Sequence, residues 1–232
     1  MNKVTEGVWQ LTGFPRHLIN CYLVEDLLID CATRWARRRI LRQLSGRRVR
    51  RVALTHCHPD HQGTARAVCQ AFGASLACHG ADAAVMEGRA PMEPQNRMVI
   101  MAHQLCSGPP CRVDRVLQDG DEIAGFRVVH APGHTAGHVI YFRDSDRVAI
   151  AGDVLANIHF VTGVVGLRQP PDKLCVDPEQ NRRSIRILAD LRPSLVCFGH
   201  GPPLFETELL QRFVERELGR SVETVQGTTE RG

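Results

Sequence analysis

The sequence lacks any uninterrupted apolar run of the roughly 20 residues that a membrane-spanning helix needs. Its first ten residues are mixed and polar, without the apolar stretch of a secretory signal. The nine cysteines are odd in number and include no C-x-x-C pair, which argues against a disulfide scaffold and for reduced, packed thiols. These absences predict a cytoplasmic protein without a membrane partner.

Lysine is also scarce, with only Lys3 and Lys173 in the chain, so most of the positive charge comes from arginine. Arginines crowd between residues 34 and 51 and could form a nucleic-acid patch. Small and apolar residues recur there at Ala36, Ile40 and Leu44, which favours a solvated helix with one buried face. We therefore expect a small-molecule substrate and no nucleic-acid partner.

The length of 232 residues and the hydrophobic content of 43% fit one large globular domain. We place this domain at residues 1–218 and a flexible tail at 219–232, which is rich in Thr, Glu and Gly. The oligomeric state is left open, with a homodimer among the options.

The arrangement of apolar runs predicts a mixed α and β fold with sheets inside and helices outside. The predicted early strands cover 4–11 and 19–30, and the predicted helices cover about 34–45, 64–72 and 178–191. Two segments resist a regular interpretation. Residues 81–115 are expected to form an irregular excursion with one helix, and the apolar residues 154–177 are expected to form a wall or lid over the site.

Four short apolar runs each lead into a histidine or an aspartate. The runs are 52–55, 126–129, 148–151 and 195–198, and the residues that follow them are His56, His134, Asp153 and His200. Polar side chains that follow buried strands lie along one edge of a sheet, where mixed folds build their sites. These residues are therefore expected to converge.

The string THCHPDHQG at 55–63 carries the strongest chemical information. In an extended segment, residues i and i+2 point the same way, so His56 and His58 can bind one ion together. Pro59 then turns the chain and presents Asp60 and His61 to a neighbouring position. Imidazole and carboxylate suit zinc, and also iron or manganese. The alternative, polar residues on a solvated loop, does not explain the further ligand-type residues after the later runs.

Two ions can be assigned from this pattern. His134 would complete the first set with His56 and His58. His200 would complete the second set with Asp60 and His61. Asp153 could bridge both ions, because a carboxylate has two oxygens.

The motifs HCHPDH, GHTAGH, GDV and GHGP resemble those of the metallo-β-lactamase superfamily over nearly the whole chain. The resemblance implies an α+β fold, a four-layer αββα sandwich with the metals at one edge of the two sheets. The aspartate at Asp153 resembles the bridging ligand of the glyoxalase II-like branch. The implied enzyme is a binuclear hydrolase in which water activated between two divalent ions, zinc above all, attacks an ester or thioester carbonyl.

Further roles are predicted around these ligands. Asp60 is the expected catalytic group, as it would orient the water or carry a proton to the leaving group. His138, four residues after His134, is either a partner that fixes a ligand or an ordinary packed histidine. The candidate substrate contacts are Phe160, Leu167, Arg168 and Lys173.

Several other functions stay open at this point. A mononuclear-iron enzyme resembling the persulfide dioxygenases has a similar metal-site string. A lactonase or a phosphodiesterase of the same fold, including a nuclease, would use the same ligands. A non-catalytic binding module is the weakest alternative, since no ligand position is missing.

Overall fold

Two β-sheets face each other at the centre of the structure, a computed structural model that describes residues 1–219. The first sheet has seven strands: β1 (Asn2–Thr5), β2 (Val8–Gln10), β3 (Tyr22–Val24), β4 (Leu27–Ile29), β5 (Arg51–Ala53), β6 (Ser75–His79) and β7 (Arg115–Leu117). They lie side by side in chain order, with β1 to β4 antiparallel and β4 to β7 parallel. The parallel half directs the loops after β4 and β5 to the same edge of the sheet.

The second sheet has five strands: β8 (Glu122–Ile123), β9 (Phe126–His130), β10 (Val139–Arg143), β11 (Val148–Gly152) and, after a separate hairpin, β14 (Leu195–Phe198). Their spatial order is β14-β11-β10-β9-β8, and β11 and β14 are parallel. The loops after β11 and β14 therefore leave the same edge. The hairpin, β12 (Ala156–Ile158) with β13 (Val165–Arg168), forms its own two-stranded sheet.

Helices cover the outer faces of both sheets. They are α1 (Arg37–Leu44), α2 (Pro59–Gln62), α3 (Ala65–Phe72), α4 (Gly80–Met86), α5 (Arg97–Cys106), α6 (Pro178–Asp190) and α7 (Glu208–Glu217). Short 3₁₀ turns at Arg34–Ala36 and Asp172–Leu174 complete the helical elements. None of the helices in residues 1–219 is long and apolar enough to cross a membrane.

The buried apolar side chains form three separate layers, which define a four-layer sandwich. Alternate residues of a strand point to opposite faces of its sheet. Leu28 thus packs toward Ile40 and Leu44 of α1, whereas Leu27 and Ile29 pack between the two sheets. A third layer joins the far face of the second sheet to α6 and α7. This arrangement confirms the predicted αββα sandwich.

Most of the predicted elements are present with small shifts at their ends. The inward face of α1 is confirmed, because Ile40 and Leu44 are buried. The predicted strands 4–11 and 19–30 are each broken in two by a tight turn, where Gly7 and Glu25 take positive φ angles. The segment 81–115 is more regular than the expected excursion with one helix. Most of α4 and all of α5 lie there, and the Asn96 side chain caps α5 by accepting bonds from two backbone amides.

The proposed tail begins at the edge of the described structure. Gly219 is the last described residue, and 220–232 lie outside the described residues. The flexibility assigned to this segment therefore stays a prediction.

Candidate metal centre

The seven predicted ligands converge at the shared edge of the two sheets. His56, His58, Asp60 and His61 follow β5 and enter α2, His134 follows β9, Asp153 follows β11, and His200 follows β14. Three triads have ligand atoms within 4.8 Å of one another: His56, His58 and His134; His56, His61 and Asp153; and Asp60, His61 and His200. The structure thus brings the predicted sets together. Their role as ligands stays a prediction.

The Asp153 carboxylate occupies the centre of this cluster. Its Oδ2 atom lies 3.0 Å from Nε2 of His200, 3.4 Å from Nε2 of His61 and 3.6 Å from Nε2 of His134. His134 belongs to the first set, whereas His61 and His200 belong to the second. One carboxylate oxygen therefore reaches both sets, as a bridging ligand requires.

Three polar atoms of the cluster are buried and have no hydrogen-bond partner in the described chain. They are Nε2 of His56, Nε2 of His61 and Oδ1 of Asp153. Leaving such a group unpaired costs about 1–3 kcal/mol each. Divalent cations bound by the two sets would satisfy these atoms, and a set of imidazoles and carboxylates is the donor chemistry that zinc, iron and manganese accept. The residues therefore fit a metal centre.

The second set of ligands is supported by a carboxylate that the sequence interpretation missed. Asp30 follows β4 and accepts a hydrogen bond from Nδ1 of His61 at 2.9 Å, which turns the free Nε2 of His61 toward the cluster. It also accepts bonds from the backbone amide and the hydroxyl of Thr55, each at 2.8 Å. Such a carboxylate fixes the orientation of a ligand histidine and raises its basicity. Asp30 follows an apolar run, Leu27–Ile29, so the same strand-end pattern could have revealed it.

The first set rests on neutral partners instead. Nδ1 of His56 lies 3.1 Å from the Thr55 hydroxyl, and Nε2 of His58 lies 3.0 Å from the Glu93 carbonyl oxygen. Nδ1 of His134 lies 3.6 Å from the Cys175 thiol. This leaves Nδ1 of His58 and Nε2 of His134 facing each other at 2.9 Å.

Asp82 ties together the two loops that carry the first set. This buried carboxylate of α4 accepts bonds from the Cys57 amide at 3.0 Å, the Thr135 hydroxyl at 2.9 Å and the Gly137 amide at 2.8 Å. Burial raises its pKa, although these three bonds oppose the rise. No sequence pattern marks Asp82, since its partners lie far away in the chain.

The two sets differ in their electrostatics. Burial lowers the pKa of His56 and of His134 well below the usual range, and neighbouring histidines lower both further. Neutral imidazole is the form that binds a metal. In the second set, burial has the same lowering effect, but neighbouring carboxylates outweigh it. Asp153, Asp30 and Asp60 raise the pKa of His61 well above its usual value. Asp153 and Asp60 raise the pKa of His200 to about 10.

His138 supports the bridging residue through the backbone. Its Nε2 accepts a hydrogen bond from the amide of Asp153 at 3.0 Å, and its ring stacks on His56 at 4.9 Å between centroids. Gly152 permits this approach, because a Cβ there would lie 2.7 Å from Nε2 of His138. Gly199 is equally constrained, since its Cβ would lie 2.1 Å from Oδ1 of Asp153. The structure thus favours the supporting role for His138.

A cavity of about 340 Å³ opens onto the cluster. Its polar end holds His58, Asp60, Asp153 and His200, and its walls are mainly apolar: Ile19, Met98, Val99, Ala102, Cys106, Phe160 and Leu174. The ring of Phe160 lies 4.5 Å from that of His200 between centroids. Phe160 is therefore placed where the sequence predicted a substrate contact.

The other three predicted substrate contacts do not line this cavity, and their role in binding stays a prediction. Leu167 and Arg168 belong to β13, which pairs with β12 and carries them to a separate groove beside α7. Lys173 is exposed in a 3₁₀ turn, and the next residue, Leu174, lines the cavity in its place. A 3₁₀ turn rotates about 120° per residue, so neighbouring side chains point in different directions.

The 154–177 segment lines the cavity with two of its residues. Phe160 and Leu174 line the cavity, whereas Val161 between them is 88% exposed. The predicted wall is therefore partial. Most of the hairpin projects away from the cluster.

Comparison with known proteins agrees with the geometry. A model of the metallo-beta-lactamase superfamily matches residues 15–200. The chain is 28% identical to the uncharacterized protein YobT of Bacillus subtilis (strain 168) over 84% of its own length and 89% of that protein. It is 27% identical to YybB of the same organism, named a probable metallo-hydrolase, over 71% of this chain and 70% of that one.

An enzyme and a solved structure extend the comparison. The chain is 31% identical to a hydroxyacylglutathione hydrolase of Acidiphilium cryptum (strain JF-5) over 68% of its length, and it spans 53% of that enzyme. A crystal structure of TTHA1623 in a di-iron-bound form superposes with a TM-score of 0.64 at 30% identity, covering 89% of this chain and 97% of that one.

Proposed function

The chain belongs to the metallo-β-lactamase superfamily, and from that premise we propose that it is a metal-dependent hydrolase of esters or thioesters with an apolar acyl portion. The observation that carries this proposal is the Asp153 carboxylate within reach of both histidine sets at the end of an apolar cavity. A relative named a probable metallo-hydrolase supports the reaction type, and the relative named a hydroxyacylglutathione hydrolase supports a thioester.

Two ions would be held by the sets already described. His56, His58 and His134 would bind one, Asp60, His61 and His200 would bind the other, and Asp153 would bind both. When bound, such a pair supplies Lewis acidity that lowers the pKa of water to about 7 and polarises a carbonyl oxygen.

The protein's own groups would orient the attacking water and exclude bulk solvent. Asp60 lines the cavity with its side chain 31% exposed, and nearby His61 and His200 lower its pKa despite its burial, which keeps it ionised. An ionised carboxylate at this position can accept a hydrogen bond from the attacking water and orient it, whereas its lowered pKa makes it a weak proton acceptor. Phe160 and Leu174 shield the same space with apolar surface.

The lining of the cavity narrows the substrate class. Within the described part of the chain, no lysine or arginine lines it. An anionic group that entered the apolar part of the cavity, away from the ligand residues at its polar end, would have no lysine or arginine as a partner there, which is costly. An uncharged acyl group gains from burial instead, at about 25 cal/mol per Å² of apolar surface.

The test joins metal quantification to a panel of substrates. Purified protein is assayed with zinc, manganese or iron on an apolar acyl thioester, a matched acyl ester, a lactone, a phosphodiester and a persulfide. We expect two divalent ions per chain and fastest turnover of the thioester or ester. One iron per chain with oxidation of the persulfide and no hydrolysis would overturn the proposal, and preference for the lactone or phosphodiester would overturn its substrate class.

A further inference from the structure

A second groove, of about 970 Å³, lies beside α5 and is distinct from the cavity at the metal cluster. Ala102 and Cys106 of this helix line the metal cavity. His103 and Gln104 line the groove instead, so α5 presents different faces to the two spaces. The other walls of the groove include the starts of α1 and α3 and the loop that follows α5.

Three arginines line the groove without a carboxylate to balance them. Arg34 lies just before α1, Arg37 begins α1, and Arg66 lies in the first turn of α3. The arginine salt bridges found within residues 1–219 all involve other arginines. In the same part of the chain, no aspartate or glutamate lines the groove. The groove therefore has an excess of positive charge.

The position of these arginines at helix N-termini makes the excess unfavourable. The N-terminus of a helix carries a partial positive charge, so acidic residues stabilise it and arginines do not. Neither α1 nor α3 has an acidic residue in its first turn, and no side chain caps the first amides of either helix. An anion in the groove would satisfy both helix starts and the three guanidinium groups together.

Gln62 gives a separate indication of a ligand. Its side chain lines the groove and is only 5% exposed, and its Oε1 atom has no hydrogen-bond partner in the described chain. This oxygen lies at the groove wall beside Gly108, where an added Cβ would be 3.3 Å from it. A protonated phosphate oxygen can donate to Oε1, and rotation about the soft terminal torsion would offer the amide hydrogens to an ionised one.

The backbone around the arginines is closely packed. Gly63 permits the start of α3 to approach the start of α1, because a Cβ there would lie 2.3 Å from the amide nitrogen of Arg34. The Arg66 guanidinium donates to the Pro110 carbonyl at 3.2 Å, which joins α3 to the loop after α5. Its other N–H groups are left for a ligand. The three charges are thus carried by backbone that the fold holds together.

We propose that this groove binds the diphosphate group of a small molecule. A guanidinium can bind two phosphate oxygens at once, and two helix N-termini add amide donors. The volume suits a small ligand, for which sites of about 300–1,000 Å³ are typical. A nucleic-acid backbone would need a longer charged track. Arg38 and Arg42 belong to the same arginine-rich segment but do not line the groove.

Calorimetric titration of the metal-replete protein with adenosine diphosphate tests this site. We expect saturable binding that Arg37→Gln weakens about 10-fold, because one charge-assisted contact is lost. Arg38→Gln is the matched control. It removes the same charge from the next residue of α1, outside the groove, and should change Kd less than about 2-fold. Absence of binding, or equal weakening by the two variants, would overturn the proposal.

The metal cluster is the competing location, since phosphates also bind divalent cations. Binding in the groove should survive Asp153→Ala and weaken in Arg37→Gln. The opposite pattern, loss in Asp153→Ala and retention in Arg37→Gln, would place the ligand at the metals and overturn the proposal. Tighter binding of a single-stranded oligonucleotide than of adenosine diphosphate would identify a nucleic-acid surface and overturn it as well. Thermal unfolding confirms that each variant is folded.

A kinetic measurement, which rests on the proposed function, identifies the source of the diphosphate. A coenzyme A thioester carries a diphosphate on its thiol half, whereas an N-acetylcysteamine thioester does not. If the substrate supplies the diphosphate, Arg37→Gln should raise KM about 10-fold for the first thioester and leave KM for the second unchanged. If a separate molecule supplies it, both KM values should stay the same while Kd for adenosine diphosphate still rises. The titration needs no hydrolysis, so failure of the hydrolase and failure of the groove are distinguishable.

Discussion

The two halves of the metal cluster differ in what stands behind their histidines. In the second half, His61 donates to the buried carboxylate of Asp30, and Asp60 adds a further negative charge. In the first half, the histidines rest on a hydroxyl, a backbone carbonyl and a thiol, all neutral. The first half is therefore fixed mainly by loop geometry, through Asp82, and the second half mainly by charge. Among the seven candidate ligands, only Asp153 belongs to both halves.

The largest expected effect follows from this shared position. Asp153→Ala removes the carboxylate that would neutralise both ions, so hydrolysis should fall at least about 1,000-fold, or roughly 4 kcal/mol of transition-state stabilisation. Metal content after dialysis should fall in both halves, while circular dichroism retains most of the fold. The surface variant Asp144→Ala removes an exposed carboxylate paired with Arg127 and should change neither property. Normal turnover of metal-replete Asp153→Ala protein would exclude the bridging role.

Loss of one ion should distinguish the two halves. His58→Ala removes a ligand of the first set only, and His200→Ala removes a ligand of the second set only. Each variant should retain about one ion per chain and lose roughly 100-fold or more in kcat, since both metals act together in such sites. Elemental analysis after gel filtration measures the stoichiometry. If either variant kept two ions, or lost both as Asp153→Ala should, the division into two sets would be wrong.

The two halves also differ in how much of each could be predicted from the sequence. The convergence of the seven candidate ligands was predictable because the segments that carry them follow short apolar strands, and parallel strands bring their ends to one edge. Asp30 also follows a short apolar strand, so it could have been predicted in the same way. Asp82 was not, because it sits on a helix and its partners come from Cys57 and Thr135, residues that only the tertiary fold brings to it.

The residues that line the cavity were harder to predict than the cluster, for a geometric reason. Phe160, Leu167 and Arg168 all lie in the apolar segment after Asp153, but a hairpin sends its two strands and its tip in different directions. The pairing of Ala156 with Arg168 fixes which residues return toward the second sheet and α7. Hydrophobicity predicted that this segment packs against something, but it carried no information on which residues face the cavity.

A smaller effect tests whether charge supports only the second half. Asp30→Asn keeps the size of the side chain but removes the negative charge behind His61, so metal affinity in the second half should fall about 10- to 100-fold. Cys175→Ala is the matched change behind His134 and should lower affinity less than about 3-fold, because a thiol is a weak hydrogen-bond partner. Chelator competition followed by elemental analysis measures both.

The two variants are compared by the ratio of their losses in metal affinity. Equal losses in Asp30→Asn and Cys175→Ala would remove the distinction between a charge-supported and a loop-supported half. Thermal unfolding of each metal-free variant serves as the control. Asp30 also accepts two bonds from Thr55, so a general loss of structure must be separated from a loss of metal affinity.

The smallest expected effect concerns the apolar surface over the second half. Phe160 lies against His200 and lines the cavity, although 44% of its surface is exposed, whereas its neighbour Val161 is 88% exposed. Phe160→Ala should therefore raise KM for a long apolar acyl substrate about 5-fold, or roughly 1 kcal/mol, with little change in kcat. A short acetyl substrate does not extend along this wall and should lose less. Val161→Ala, on the same hairpin tip, should leave both substrates unaffected. If Val161→Ala raised KM as much as Phe160→Ala, the effect would come from the hairpin as a whole. If Phe160→Ala lowered kcat instead of raising KM, Phe160 would act by positioning His200 rather than by contacting the acyl group.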